Sequence, residues 1–179
     1  MNTYKNYIYP YLKLIRPNNW IKNLFIFGPL FFSLQITNSG LFFRVLYAVI
    51  IFSIAASSVY IINDWLDRNE DRNHPIKSKR PLASGKIPLM NAFILCIFLL
   101  TISLFFSWQI QPELFYVILT YLIMNIMYSL WLKHIALIDI FIISFGFILR
   151  IIAGAVVIQN KPSMWIILLT FLLALFLSL

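Results

Sequence analysis

Apolar stretches about as long as a bilayer is thick dominate this sequence. No charged side chain occurs between Lys86 and Glu113, between Glu113 and Lys133, or after Lys161. A helix crossing the hydrocarbon core needs about 20 predominantly apolar residues, and that ruler predicts spans at 20–36, with a kink at Gly28-Pro29, and at 41–63, 89–108, 112–132, 135–158 and 163–179. The chain is 61% hydrophobic and 11% charged over 179 residues, against about 25% charged in a soluble domain. So much apolar side chain has to face lipid. The expected fold class is therefore an all-α integral membrane protein, a multi-span helical bundle with six spans.

Two patterns support these spans. Trp20, Trp65, Trp108, Trp131 and Trp165 fall at predicted span ends, where indole rings favour the headgroup interface. Basic residues alternate between the loops. Lys5, Lys13, Arg16 and Lys22 precede the first span, Arg68, Arg72, Lys77, Lys79, Arg80 and Lys86 separate the second and third, and Lys133 follows the fourth. The opposite loops hold Arg44 and Lys161. By the positive-inside rule the N-terminus and the 64–88 loop are cytoplasmic. The net charge of +8 therefore reads as headgroup contact, not nucleic-acid binding. Cys96, the lone cysteine, lies in an apolar run and offers neither a disulfide nor metal-thiolate spacing. Residues 1–23 lack the pattern of a signal peptide. Tyr4, Tyr7, Tyr11, Leu12 and Ile15 recur at helical spacing, as in an amphipathic segment on the membrane surface, with Pro10 starting or interrupting it.

The chemistry is concentrated in Asn63-Asp64-Trp65-Leu66-Asp67-Arg68-Asn69-Glu70-Asp71. Asp64, Asp67 and Asp71 share one face if the second span continues as a helix. Two carboxylates ~5 Å apart repel by roughly 3 kcal/mol at an effective dielectric near 20, so a cation is expected among them. Mg²⁺ suits oxygen ligands shared between carboxylates and substrate phosphates. Lys77, Lys79 and Arg80 follow at once, and cations of this kind neutralise phosphate oxygens. Carboxylates beside cations make a coherent site for a departing diphosphate. A solvated loop with self-paired charges is the plainer alternative.

Asn63-Asp64-x-x-Asp67-x-x-x-Asp71 resembles the first aspartate-rich motif of the UbiA superfamily of intramembrane prenyltransferases. Arg80-Pro81-Leu82-x-Ser84-Gly85, then Tyr128-Ser129 with Lys133, extend the resemblance, which runs from about Arg16 to the end of the chain. Leu14-Ile15-Arg16-Pro17-Asn18-Asn19-Trp20-Ile21-Lys22-Asn23 and His74-Pro75-x-Lys77 look like the decaprenyl-phosphate phosphoribosyltransferase branch. The resemblance implies one UbiA-like transferase domain over 1–179 with its active-site loop at 64–88, in a bacterial-type inner membrane. It also implies Mg²⁺ on Asp64, Asp67 and Asp71, and transfer of 5-phosphoribose from phosphoribosyl diphosphate to a polyprenyl phosphate. Asn63, Lys22, Asn23, Lys77, Lys79, Arg80, Tyr128, Lys133 and Arg150 are the candidate substrate contacts. Prenyl transfer from an isoprenyl diphosphate to an aromatic or other acceptor begins with the same leaving group and is the alternative within the family. A cation transporter is a weaker one, because its carboxylates belong near the bilayer midplane.

The family fold has nine spans and a second charged motif after the sixth. The sequence stops where that motif is expected, as a C-terminally truncated chain would, and such a chain alone is expected to be inactive. Arg150 lies mid-span, where a lone charge costs about 2.5–3.5 kcal/mol or more. It shares a helical face with Asp139, Gly146 and Gly154. It is expected either to hold a phosphate or to pair with a neighbouring helix.

Overall fold

The computed structural model describes residues 3–135 and 137–178, excepting the side chains of residues 3–7 and of His134. The expectations for the Tyr4 and Tyr7 side chains, and for His134 as an interfacial residue at a span end, lie outside it. Helix α1 spans Thr3–Ile15, a 3₁₀ segment follows over Pro17–Phe27, and α2 is a short helix over Gly28–Phe32. Then come α3 (Ser39–Leu66), α4 (Arg68–Arg72), α5 (Leu89–Ile110), α6 (Pro112–Leu130), α7 (Ile138–Val157) and α8 (Met164–Ser178). Among the described residues, α3, α5, α6 and α7 are long and apolar enough to cross a membrane, and α8 is a shorter apolar helix. The chain is an all-α integral membrane protein, as its composition required.

The expected first span, 20–36, is not one α-helix. Pro29 has no backbone N–H to donate and stands in the first turn of α2, where a helix needs no such donor. The chain instead winds as a 3₁₀ helix up to Phe27 and turns α-helical at Gly28. Rises of 2.0 Å and 1.5 Å per residue make the two pieces together about 30 Å long, about the thickness of a hydrocarbon core. The segment gets this close to the bundle through one residue of α7. A Cβ on Gly154 would lie 1.9 Å from the Ile26 carbonyl oxygen.

Helix α3 is the post on which the others lean. Phe52, Ala55, Ala56 and Val59 are buried in the main apolar core, which Ile118, Leu122, Ala153 and Val157 complete. Ser53, Ser57 and Ser58 are buried too, and each returns its hydroxyl to a carbonyl of its own helix at 2.7–2.8 Å. Without water, internal bonds of this kind are the remaining way to satisfy them. Their small size also lets the 3₁₀ segment close in. Trp65, Trp108, Trp131 and Trp165 are exposed at helix ends. Trp20 differs: its ring N–H donates to Ser57 Oγ at 3.0 Å inside the bundle.

Helix α1 runs straight through Pro10 and does not start or break there. Leu14, flanked by Tyr11 and Ile15, docks against Ile61, Leu82, Ile87, Ala92 and Cys96. Cys96 fills space there, as the sequence implied. Leu12 lies on the opposite, exposed side of α1 with Ile8 and Tyr9.

Gly154→Ala should lower thermal stability in detergent by about 3 kcal/mol or more, because the clash is with rigid backbone. Gly146→Ala, whose added carbon would meet Arg150 Nη1 at 3.4 Å, should cost much less. Equal losses would show that the Ile26–Gly154 approach is not critical.

Candidate diphosphate site

Helix α3 carries the acidic motif to the end of the bundle. The chain hardly deviates between α3 and α4, since the Asp67 N–H still bonds to the Asn63 carbonyl at 2.9 Å and that of Asp71 to Asp67 at 2.8 Å. The three aspartates therefore stay near helical register. Asp64 and Asp71 are each 2% exposed, whereas Glu70, one position away, is exposed.

The cation expected among the carboxylates is supplied by the protein itself. Arg80 Nη1 lies 3.2 Å from Asp64 Oδ1 and 2.7 Å from Asp71 Oδ2, joining the two. Arg16 Nη2 takes the same Asp64 oxygen at 2.5 Å. Asp67 pairs with Lys133, at the turn after α6, and Ser129 donates to Asn63 Oδ1 at 3.2 Å. Tyr128, beside Ser129, is half-buried. Arg80 and Lys133, expected as substrate contacts, thus pair with the acids instead. Lys22, Lys77 and Lys79 are exposed, and no side-chain bond joins them to the aspartates. His74 Nδ1 accepts from the Ile76 and Lys77 N–H groups and caps that turn.

Arg16 was not among the candidate contacts. It sits at the junction of α1 and the 3₁₀ segment with φ 51° and ψ 61°. This left-handed conformation costs a non-glycine residue about 1–2 kcal/mol, and Pro17 follows directly. The pair with Asp64 and a Tyr60 ring 5.1 Å from the guanidinium carbon hold it. The only signal in the sequence was the Arg16-Pro17 pair itself.

Arg150 and Asn23 form a second polar knot, deeper in the bundle. Arg150 is 5% exposed and Asn23 fully buried. Arg150 Nε donates to Asn23 Oδ1 at 2.8 Å and its Nη1 to the Gly146 carbonyl at 2.7 Å, while Asn23 donates to Ser53 Oγ at 2.8 Å. Phe52, Tyr121 and Phe147 ring the guanidinium at 5.1–5.4 Å. Asp139, eleven residues earlier on α7, is about 16 Å away along the helix, and its carboxylate accepts from the Ile140 N–H.

A cavity of about 500 Å³ opens onto Asp64, Arg16 and Arg80. A larger one, about 950 Å³, lies between the 3₁₀ segment and α8. It is lined mainly by apolar side chains and touches none of the aspartates, so it is not where diphosphate chemistry would occur. No trio of His, Cys, Asp or Glu converges on one metal position among the described residues. The donor set still fits Mg²⁺ in kind: Asp64 and Asp71 present oxygens to one shared cationic nitrogen, and hard oxygens are what Mg²⁺ takes.

Buried carboxylates and cations thus meet at one end of a multi-span bundle. The chain belongs to the UbiA prenyltransferase family, whose sequence model matches residues 24–179. It is 37% identical over 171 residues to decaprenyl-phosphate phosphoribosyltransferase of Mycolicibacterium smegmatis, covering 92% of this chain and 53% of that protein. The Mycobacterium tuberculosis protein of the same name is 34% identical over 165 residues, 88% of this chain and 54% of that one. The chain thus spans about half the length of the curated relatives it matches. A UbiA homologue from Archaeoglobus fulgidus, solved with GPP and Mg²⁺, superposes with a TM-score of 0.78 at 26% identity, over 93% of this chain and 60% of that one.

Breaking a buried pair from one side strands a charge at a cost of about 3–5 kcal/mol. Arg80→Met should therefore destabilise the chain strongly, and Asp71→Asn in the same background should restore part of the loss. Denaturant unfolding of the single and double variants checks this coupling. Simple additivity would mean that Asp71 does not depend on Arg80.

Proposed function

We propose that this chain forms the diphosphate-binding half of a Mg²⁺-dependent membrane transferase. It would pass 5-phosphoribose from phosphoribosyl diphosphate to a polyprenyl phosphate, with the 64–88 loop on the cytoplasmic side. The observation that carries this reading is the shared cation: Arg80 spans two buried aspartates while Arg16 takes the first from the other side. Similarity to decaprenyl-phosphate phosphoribosyltransferases over about nine-tenths of the chain supports the choice of donor.

The reaction breaks the bond between the anomeric carbon and the diphosphate oxygen, and forms one from that carbon to an oxygen of the lipid phosphate. Negative charge grows on the diphosphate as the bond opens. Arg16 and Arg80 are aimed at that region before substrate arrives, which is what electrostatic catalysis requires. When diphosphate binds, these guanidiniums share themselves between carboxylate and phosphate oxygens. Lys133 orients Asp67 in the same way from the turn after α6. Asp64, Asp67 and Asp71 would hold the Mg²⁺, which supplies positive charge to phosphate oxygens. Asn23 and Arg150 tie the 3₁₀ segment to α7, and so fix where Arg16 emerges.

The test compares the natural protein carrying this sequence with its variants, in membranes given polyprenyl phosphate, Mg²⁺ and either radiolabelled phosphoribosyl diphosphate or an isoprenyl diphosphate. Label should enter lipid from phosphoribosyl diphosphate. Asp64→Asn should lower the rate by about 10²-fold or more, with Glu70→Gln near the parent. Label entering product from the isoprenyl diphosphate instead would identify a prenyltransferase. Equal sensitivity at Glu70 and Asp64 would remove the carboxylate assignment.

A further inference from the structure

We infer that α1 is a docking wall for the isoprenoid phosphate acceptor. This inference rests on the transferase reading above and adds the route by which the acceptor approaches. Helix α1 precedes residue 24, where the match to the family model starts, so the family assignment gives it no role. It has two apolar sides. Leu14 and its neighbours are spent on the bundle, whereas Tyr9 and Leu12 remain 67% and 48% exposed.

Those two exposed residues line the same 500 Å³ cavity as Lys13, Arg16, Asp64 and Arg80. The lining thus combines apolar with ionic side chains, and the ionic ones include the carboxylate proposed to carry the chemistry. Lys13, Arg16 and Arg80 outnumber Asp64 there, and with Asp71 behind Arg80 one positive charge is still in excess. Lys13 gives one hydrogen bond to the Lys79 carbonyl at 3.2 Å, which anchors α1 to the loop and leaves two ammonium donors free. An occupant that satisfies both kinds of side chain has a phosphate head and an apolar chain. A phosphate on Lys13, beside the Arg16 and Arg80 that meet the diphosphate, would leave the chain to run over Leu12 and Tyr9. Amphipathic helices bind such molecules by apolar area together with charge attraction. The occupant is an isoprenoid monophosphate rather than a bulk phospholipid, because its phosphate has to reach the cavity that contains Asp64.

Binding needs no turnover, so it can be read separately from the reaction. A photoreactive phenylalanine analogue replacing Leu12, in the purified chain in nanodiscs, should crosslink to tritiated farnesyl phosphate. Unlabelled farnesyl phosphate should prevent the crosslink, whereas farnesol and phosphatidylglycerol should not. The double variant Tyr9→Ser/Leu12→Asn should bind farnesyl phosphate about tenfold more weakly, equivalent to about 1.4 kcal/mol, with inorganic diphosphate binding unchanged. Both side chains are exposed, and an unaltered melting temperature would confirm that folding is intact. In the natural protein, the same double variant should raise the KM for lipid phosphate and not that for phosphoribosyl diphosphate. An unchanged KM for lipid phosphate, with transfer intact, would overturn the docking wall and leave the reaction standing. Specific crosslinking without any ribose transfer would do the reverse. Competition by phosphatidylglycerol equal to that of farnesyl phosphate would make α1 a general lipid contact and overturn the proposal.

Discussion

Two carboxylates buried at the end of a membrane helix cannot stay charged without a cation, and Arg80 is that cation. Its Nη1 reaches Asp64 and Asp71 together, which draws the loop after α4 back over the top of α3. Arg16 completes the arrangement from the N-terminal side, and Lys133 does so for Asp67 from the turn after α6. Three separate parts of the chain thus converge on α3 through the same electrostatic need. Each pair is made where water is scarce, so the attraction is little screened. The groups that neutralise the acids in this state are also suited to meet phosphate oxygens.

A second constraint lies deeper. Arg150 cannot leave its charge in lipid, and it is accommodated by Asn23, by the Gly146 carbonyl and by three aromatic faces. That knot pins the 3₁₀ segment against α7, where Gly154 permits the contact. The same segment starts at Pro17, next to Arg16. The position of the Arg16 guanidinium therefore depends on polar packing well below it.

Much of this was legible in the sequence because lipid imposes a simple grammar. Apolar runs bounded by charges located α3, α5, α6 and α7 within a few residues, and helical spacing brought Asp64, Asp67 and Asp71 to one end. Glycine at 154 correctly signalled a close approach. What escaped depended on contacts distant in sequence. Arg16 meets Asp64 across 48 positions, and nothing in the local pattern distinguishes it from Lys22, which stays exposed. Arg150 was expected to hold a phosphate or pair with a neighbouring helix, and its partner Asn23, 127 positions away, could not be picked out by helical spacing. The first span read as a kinked helix, because apolar periodicity does not tell a 3₁₀ segment from an α-helix when prolines bracket it.

The exchange of partners at Asp64 and Asp71 is the centre of the account, and a structure of the natural protein with Mg²⁺ and diphosphate tests it most directly. The account requires Arg16 and Arg80 to have moved at least partly onto phosphate oxygens, with Asp64 and Asp71 turned toward the metal. Diphosphate bound elsewhere, with the Arg16–Asp64 and Arg80–Asp71 pairs as close as they are without it, would contradict the account.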